Sequence, residues 1–140
     1  MPEFGQVASV DATFEPGNRQ RFKVVFDVAR TADEGESPHI GKVARFINMH
    51  GDGGIDPRPL DIVLVIHGGA TADLVDEDQN AQRDMVEALL EQGVRIVLCG
   101  QSMVALGVPQ DSLIDGVEVA LSAMTAHASL MGKGYNSMPF

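Results

Sequence analysis

Three short apolar runs constrain the fold of this chain more than anything else in its sequence. Arg21–Val28 reads RFKVVFDV, Leu60–Ile66 reads LDIVLVI and Val94–Cys99 reads VRIVLC. Each is rich in β-branched residues and has the length of one strand. The apolar residues sit side by side in these runs instead of alternating with polar ones, so both faces of each strand must be shielded from water. Amphipathic segments separate the runs. Strands apolar on both faces that alternate with helices form a parallel sheet covered on both sides, an α/β fold.

The punctuation supports this order. Ser37-Pro38 supplies a hydroxyl cap followed by proline at the first helical position, and Ile40, Val43, Ala44 and Ile47 then mark one helix face. Met85, Val86, Leu89 and Leu90 mark a second helix, which begins near Asn80 and is ended by Gly93. Gln101 to Leu106 gives one or two helical turns, closed by Gly107-Val108-Pro109. Val117, Ala120, Leu121, Met124, Ala128 and Met131 fit a further helix face, although Val117-Glu118-Val119 fits a short strand equally well. Met85, Met124 and Met131 are expected to pack in the core, and the acidic stretch DLVDEDQN (73–80) to be a solvated loop. The terminal YNSMPF suits an edge strand, where Pro139 is tolerated. Residues 1–20 read as an N-terminal arm and 21–140 as a single domain, with no internal repeat.

Charge narrows the partners. Ten Lys+Arg against 20 Asp+Glu give a net charge of −10, and such a surface repels phosphate backbones and anionic lipid, so neither nucleic acid nor membrane is an expected partner. No run approaches the roughly 20 apolar residues of a membrane helix. The N-terminal MPEFGQVASVD has no basic segment leading into an apolar one. As it stands the chain reads as cytoplasmic, and as periplasmic if a signal was removed earlier. One cysteine permits neither an internal disulfide nor a CxxC pair.

In an open parallel sheet, ligands bind beyond the carboxyl ends of the strands. Those ends fall after Val28, after His67 and at Cys99. Cys99 thus stands before the start of a short helix, whose unpaired N–H groups favour an anion such as a thiolate. Gly100 permits close approach of a donor sulfur or a partner backbone, and Gln101 and Ser102 can add hydrogen bonds. Position alone leaves a second reading open, a small buried hydrophobe. His67 is a candidate acid, base or cation for the same crevice, and Gly68-Gly69 a candidate anion nest. His39, His50 and His127 share no ligand spacing, so no metal site is expected. Nor is a cofactor. A flavin would want a Ser/Thr/Gly-rich loop in place of ARTADEGES, and a phosphoacceptor domain would want Asp in place of Cys99.

Taken together, FKVVFDVA, VARFINMH, DIVLVIHGGAT, VRIVLCGQSM, GVEVALSAMTAH and GYNSMPF resemble the DsrE/DsrF-like proteins from about Phe22 to Phe140. The resemblance implies a three-layer α/β/α sandwich around a mostly parallel five-stranded sheet, commonly assembled as trimers or hexamers. It also implies, for members of the DsrE and TusD sulfur-relay type, a persulfide carried on a strand-end cysteine and handed to a partner protein. In those members a short helix follows the cysteine and closes with Gly-Val or Gly-Ile, which Cys99 and Leu106-Gly107-Val108 match. They also tend to carry basic residues before that glycine, where this chain has Ala105-Leu106. The expectation is therefore a sulfur carrier that accepts sulfane sulfur on Cys99 and works with a protein donor or acceptor. The alternative is a non-catalytic oligomeric module that holds a small anion or peptide in the crevice.

Overall fold

The structure, a computed structural model, describes residues 1–51 and 53–140. The three apolar runs become β1 (Phe22–Val28), β2 (Leu60–Ile66) and β3 (Arg95–Cys99). Helix α1 (Pro38–Met49) follows β1, and α2 (Arg83–Glu91) follows β2 after a 3₁₀ segment, Gly68–Leu74. Beyond β3 come α3 (Gly100–Ala105), β4 (Glu118–Ala120), α4 (Ala123–Gly132) and β5 (Asn136–Ser137). The sheet order is β4-β3-β2-β1-β5 and every pair is parallel.

Alternation along the strands divides the interior in two. Val24, Phe26, Ile62, Leu64, Ile66, Ile96 and Leu98 face one way, onto Ile40 and Val43 of α1 and Met85, Val86 and Leu89 of α2. Val25, Val63, Val65 and Val97 face the other way, onto Ala126 and Leu130 of α4. The result is three layers, with two helices on one face and α4 on the other. None of the described helices is long and apolar enough to cross a membrane.

The caps explain the helix boundaries. The Ser37 hydroxyl accepts from Ile40 N–H at 3.1 Å, with Pro38 in the first turn. Gln82 fastens that cap to the start of α2: its Oε1 accepts from Ser37 N–H at 2.6 Å and its Nε2 donates to Gly35 O at 2.7 Å. Helix α2 begins three residues after Asn80, because the Asn80 side chain is engaged in holding the preceding turn at Asp73 O and Val75 O. Gly93, at φ +88°, ends α2. The first residues of the chain are held against α1 by Asn48, whose Nδ2 donates to the carbonyls of Met1, Phe4 and Gly5.

Two expectations need correction. Of the two readings of the segment from Val117, the short strand holds, one residue further on, and the helix face drawn through Val117, Ala120, Leu121, Met124, Ala128 and Met131 does not exist. Glu118–Ala120 is a strand paired with Val97–Cys99, and Ser122 then caps a helix whose buried residues are Ala126 and Leu130. Met124 and Met131 are therefore exposed, whereas Met85 is in the core. The apolar spacing runs across a strand and a helix, two elements with different periods. The stretch DLVDEDQN is also not wholly solvated. Asp73 ends up in the 3₁₀ segment, buried, with Thr31 donating to its Oδ1.

Two measurements test this packing. Leu130→Ala should cost about 2–5 kcal/mol in chemical denaturation, as buried leucine truncations do, and Met131→Ala, its exposed neighbour, should stay within about 0.5 kcal/mol. Burial raises the Asp73 carboxyl above its usual range, although the Thr31 hydrogen bond and nearby His39 oppose the rise. A carboxyl raised in the folded state favours folding while protonated and loses that contribution as pH rises through its folded value. Asp73→Asn keeps an acceptor for Thr31 and should melt higher than the wild type at neutral pH. The difference should vanish below the ordinary carboxylate range.

Candidate functional site

Parallel register brings the carboxyl ends of three strands side by side. Ile66 pairs with Leu98, so His67 and Cys99 are the next residues along neighbouring strands. Both continue the series that faces α4, after Val65 and Val97. Asp27 of β1, which follows Val25 in the same series, is opposite Val65. Cys99, His67 and Asp27 thus share one face at one rim of the sheet.

Cys99 is the last residue of β3 and the N-cap of α3, at φ −66° and ψ 114°. Burial pushes its thiol up. The Ser102 hydroxyl, followed by the backbone N–H groups of Ser102, Ala123 and Gln101, outweighs burial and holds the thiol below its ordinary value. These donors come from the first turns of two helices, α3 and α4, both of which open at the sulfur. Ser102 Oγ also accepts from Gly68 N–H at 2.9 Å. That bond occupies an acceptor position and leaves the hydroxyl proton for the sulfur, so the loops after β2 and β3 are tied together at Cys99. The residue is 6% exposed.

The other expected site residues divide by role. Gly68 has φ +56°, a conformation that favours glycine, and its N–H is the one bound to Ser102. Gly69 is exposed at the start of the 3₁₀ segment. The space over Gly100 is occupied: a Cβ there would lie 2.6 Å from Ala120 O. Its bareness lets β4 close against α3, and no donor sulfur can enter by that route. Gln101 turns its side chain away to donate to Leu121 O at 3.2 Å and serves the sulfur through its backbone N–H.

Sequence reasoning missed two members of the rim. The Asp27 carboxylate meets His67 Nε2 at 2.9 and 3.0 Å and His127 Nε2 at 2.7 Å. Burial raises the Asp27 carboxyl, but hydrogen bonds from His67 and His127, and their charge when protonated, bring it below its usual range. One signal was available, since an Asp on the inward-facing series of an apolar strand needs a partner. His127 carried no such signal, because its neighbours in space are a hundred residues away. Among the described residues no group of three His, Cys, Asp or Glu side chains is arranged to hold a metal ion. In this cluster both imidazoles address the carboxylate directly.

A hollow of about 390 Å³ lies at the opposite, amino-terminal ends of β1, β2 and β3, lined by Arg21, His50 and Arg58 among others. Its cations are already neutralised, Arg21 by Asp61 and Arg58 by Asp56. The carboxyl rim, with a polarised thiol and two imidazoles, carries the greater chemical capacity.

Comparison with known proteins places this arrangement. The family model described as DsrE/DsrF-like family matches residues 23–140. No curated protein matches the chain. A protein of unknown function from Methanobacterium thermoautotrophicum, MTH1491, superposes with TM-score 0.67 at 22% identity, over 84% of this chain and 97% of that one. The ychN protein from E. coli superposes with TM-score 0.57, also at 22% identity, over 84% and 96%. At that identity the two structures establish the fold.

The Ser102 hydroxyl is the first of the donors opposing burial at Cys99. Ser102→Ala should therefore raise the Cys99 thiol, moving the pH profile of its alkylation upward and slowing the reaction at neutral pH. An unmoved profile would remove the hydroxyl from the account of the site.

Proposed function

The chain belongs to the DsrE/DsrF-like family, and from that premise we propose that it is a sulfur carrier whose Cys99 accepts sulfane sulfur as a persulfide and yields it to a partner thiol. One observation carries the reading: Cys99 ends β3 as the N-cap of α3, with Ser102 tied across to Gly68 beside it, and there the Ser102 hydroxyl and backbone N–H groups at the starts of α3 and α4 hold the thiol below its ordinary value. These donors favour an anion, and the thiolate is the attacking form in sulfur exchange. The same donors would hold the terminal sulfur of a persulfide, which is also anionic. Cys99 attacks the outer sulfur of a hydropersulfide, R–S–SH. A Cys99 Sγ–S bond forms, the donor's S–S bond breaks, and the departing R–S⁻ takes up a proton. No net oxidation is needed. Attack by a partner thiol on the outer sulfur repeats the exchange in the other direction.

Assembly into a trimer or hexamer is part of the proposal. Val104, Leu106, Leu121, Met124 and Met131 leave large apolar side chains exposed on α3, on α4 and in the segments beside them. Exposed apolar side chains on two helices that start beside Cys99 support a protein contact on this side of the chain. A protein donor or acceptor of sulfur would meet the chain at the same rim.

The burial of Cys99 favours a second reading, a non-catalytic oligomeric module that holds a small anion or peptide in the crevice. Mass measurement separates the two. After incubation with cysteine hydropersulfide, the wild-type chain should gain about 32 Da, one sulfur, and Cys99→Ser should gain none. A chain that never gains that mass, or gains it equally in the variant, is not a Cys99 carrier.

A further inference from the structure

Transfer of sulfur at Cys99 needs a group that takes and returns a proton, and the rim holds one whose orientation is fixed from behind. Asp27 Oδ1 and Oδ2 lie 3.0 and 2.9 Å from His67 Nε2, and Asp27 Oδ1 lies 2.7 Å from His127 Nε2. An ionised carboxylate only accepts, so both imidazoles must present their protons on Nε2. In neutral His67 this leaves Nδ1 bare and basic. Helix α4 sets the spacing: Ala123 N–H serves the Cys99 sulfur, and His127 reaches Asp27 four residues on. Four residues are about one turn, roughly 5.4 Å. His67 directly follows the strand between, one residue past Ile66, which pairs with Leu98, the residue before Cys99, and neighbouring strands are about 4.8 Å apart. Across the sheet the order is Cys99, His67, Asp27.

We propose that Asp27 and His127 are positioning residues that lock the His67 imidazole in its Nε2–H form, so that Nδ1 exchanges the proton of sulfur transfer at Cys99. The inference rests on the persulfide reading of Cys99. The Cys99 thiol gives its proton to His67 Nδ1, and the thiolate forms a bond to the outer sulfur of R–S–SH. As the donor's S–S bond breaks, R–S⁻ recovers the proton from Nδ1 and leaves as R–SH. The imidazolium that exists between these events has Asp27 at its back, which stabilises the charge. His127 supplies a second N–H to the carboxylate and keeps it aimed while joining α4 to β1.

The test uses the full chain, with cysteine hydropersulfide as donor and heteronuclear NMR of the imidazole nitrogens. Wild-type His67 should show a proton on Nε2 and none on Nδ1. Asp27→Asn should lose that fixed tautomer and gain sulfur at least tenfold more slowly. Its alkylation at high pH, where the thiol is ionised without help, should remain at the wild-type rate, showing that fold and access are intact. His127→Asn leaves the Asp27–His67 contact in place and should slow sulfur gain by about two- to fivefold. It decides the matter should Asp27→Asn fail to fold. Equal rates in the wild type and the folded variants overturn this inference while leaving the persulfide reading standing. A wild-type chain that takes up no sulfur overturns both.

Discussion

The parallel register of β1, β2 and β3 is the constraint on which the rest of the molecule depends. Each pairing is a ladder of backbone hydrogen bonds fixed by apolar side chains that must stay inside, and a slip of one residue would turn every inward residue outward. With Phe26 opposite Leu64 and Ile66 opposite Leu98, Asp27, His67 and Cys99 can only emerge on the α4 side. The same alternation that hides Val25, Val65 and Val97 delivers the polar residues that follow them to a common rim. Packing and site are one pattern, read on different residues of the same strands.

At Cys99 two opposing effects are balanced by geometry. Removal from water disfavours a thiolate, and donors aimed at the sulfur favour it. The donors prevail because the chain turns into a helix immediately after the sulfur and because a second helix begins beside it. Close approach of β4 makes that second start possible, and it requires Gly100 to be bare beneath Ala120 O. Ser102 then joins the sulfur to the backbone of the neighbouring loop at Gly68. The polarity of the site is thus built largely from main-chain groups, which cannot rotate away.

Much of this was legible in the residues. The strands ending at Val28, Ile66 and Cys99, the cap at Ser37-Pro38, the stop at Gly93 and the short helix after Cys99 all follow from side-chain chemistry within a few positions of one another. The edge strand at Asn136–Ser137 does too. Legibility failed where the signal was distributed. Helix α4 faces the sheet through Ala126, His127 and Leu130, and alanine and histidine weigh little in a hydrophobic count. The methionines on either side of them, Met124 and Met131, weigh heavily and are exposed. Asp73 shows the converse, an acidic residue in an acidic run that the 3₁₀ segment carries inside.

The sequence by itself determined the class of fold and the place of the thiol, because strand length, apolar pairing and helix caps are local properties that each residue states through its neighbours. Only the tertiary structure decided which groups meet there. The union of Asp27, His67 and His127, and the arrival of Ala123 N–H at the Cys99 sulfur, join residues tens of positions apart. Their distances are set by the stacking of strands and by the angle at which α4 crosses the sheet. No run of neighbouring residues records either quantity.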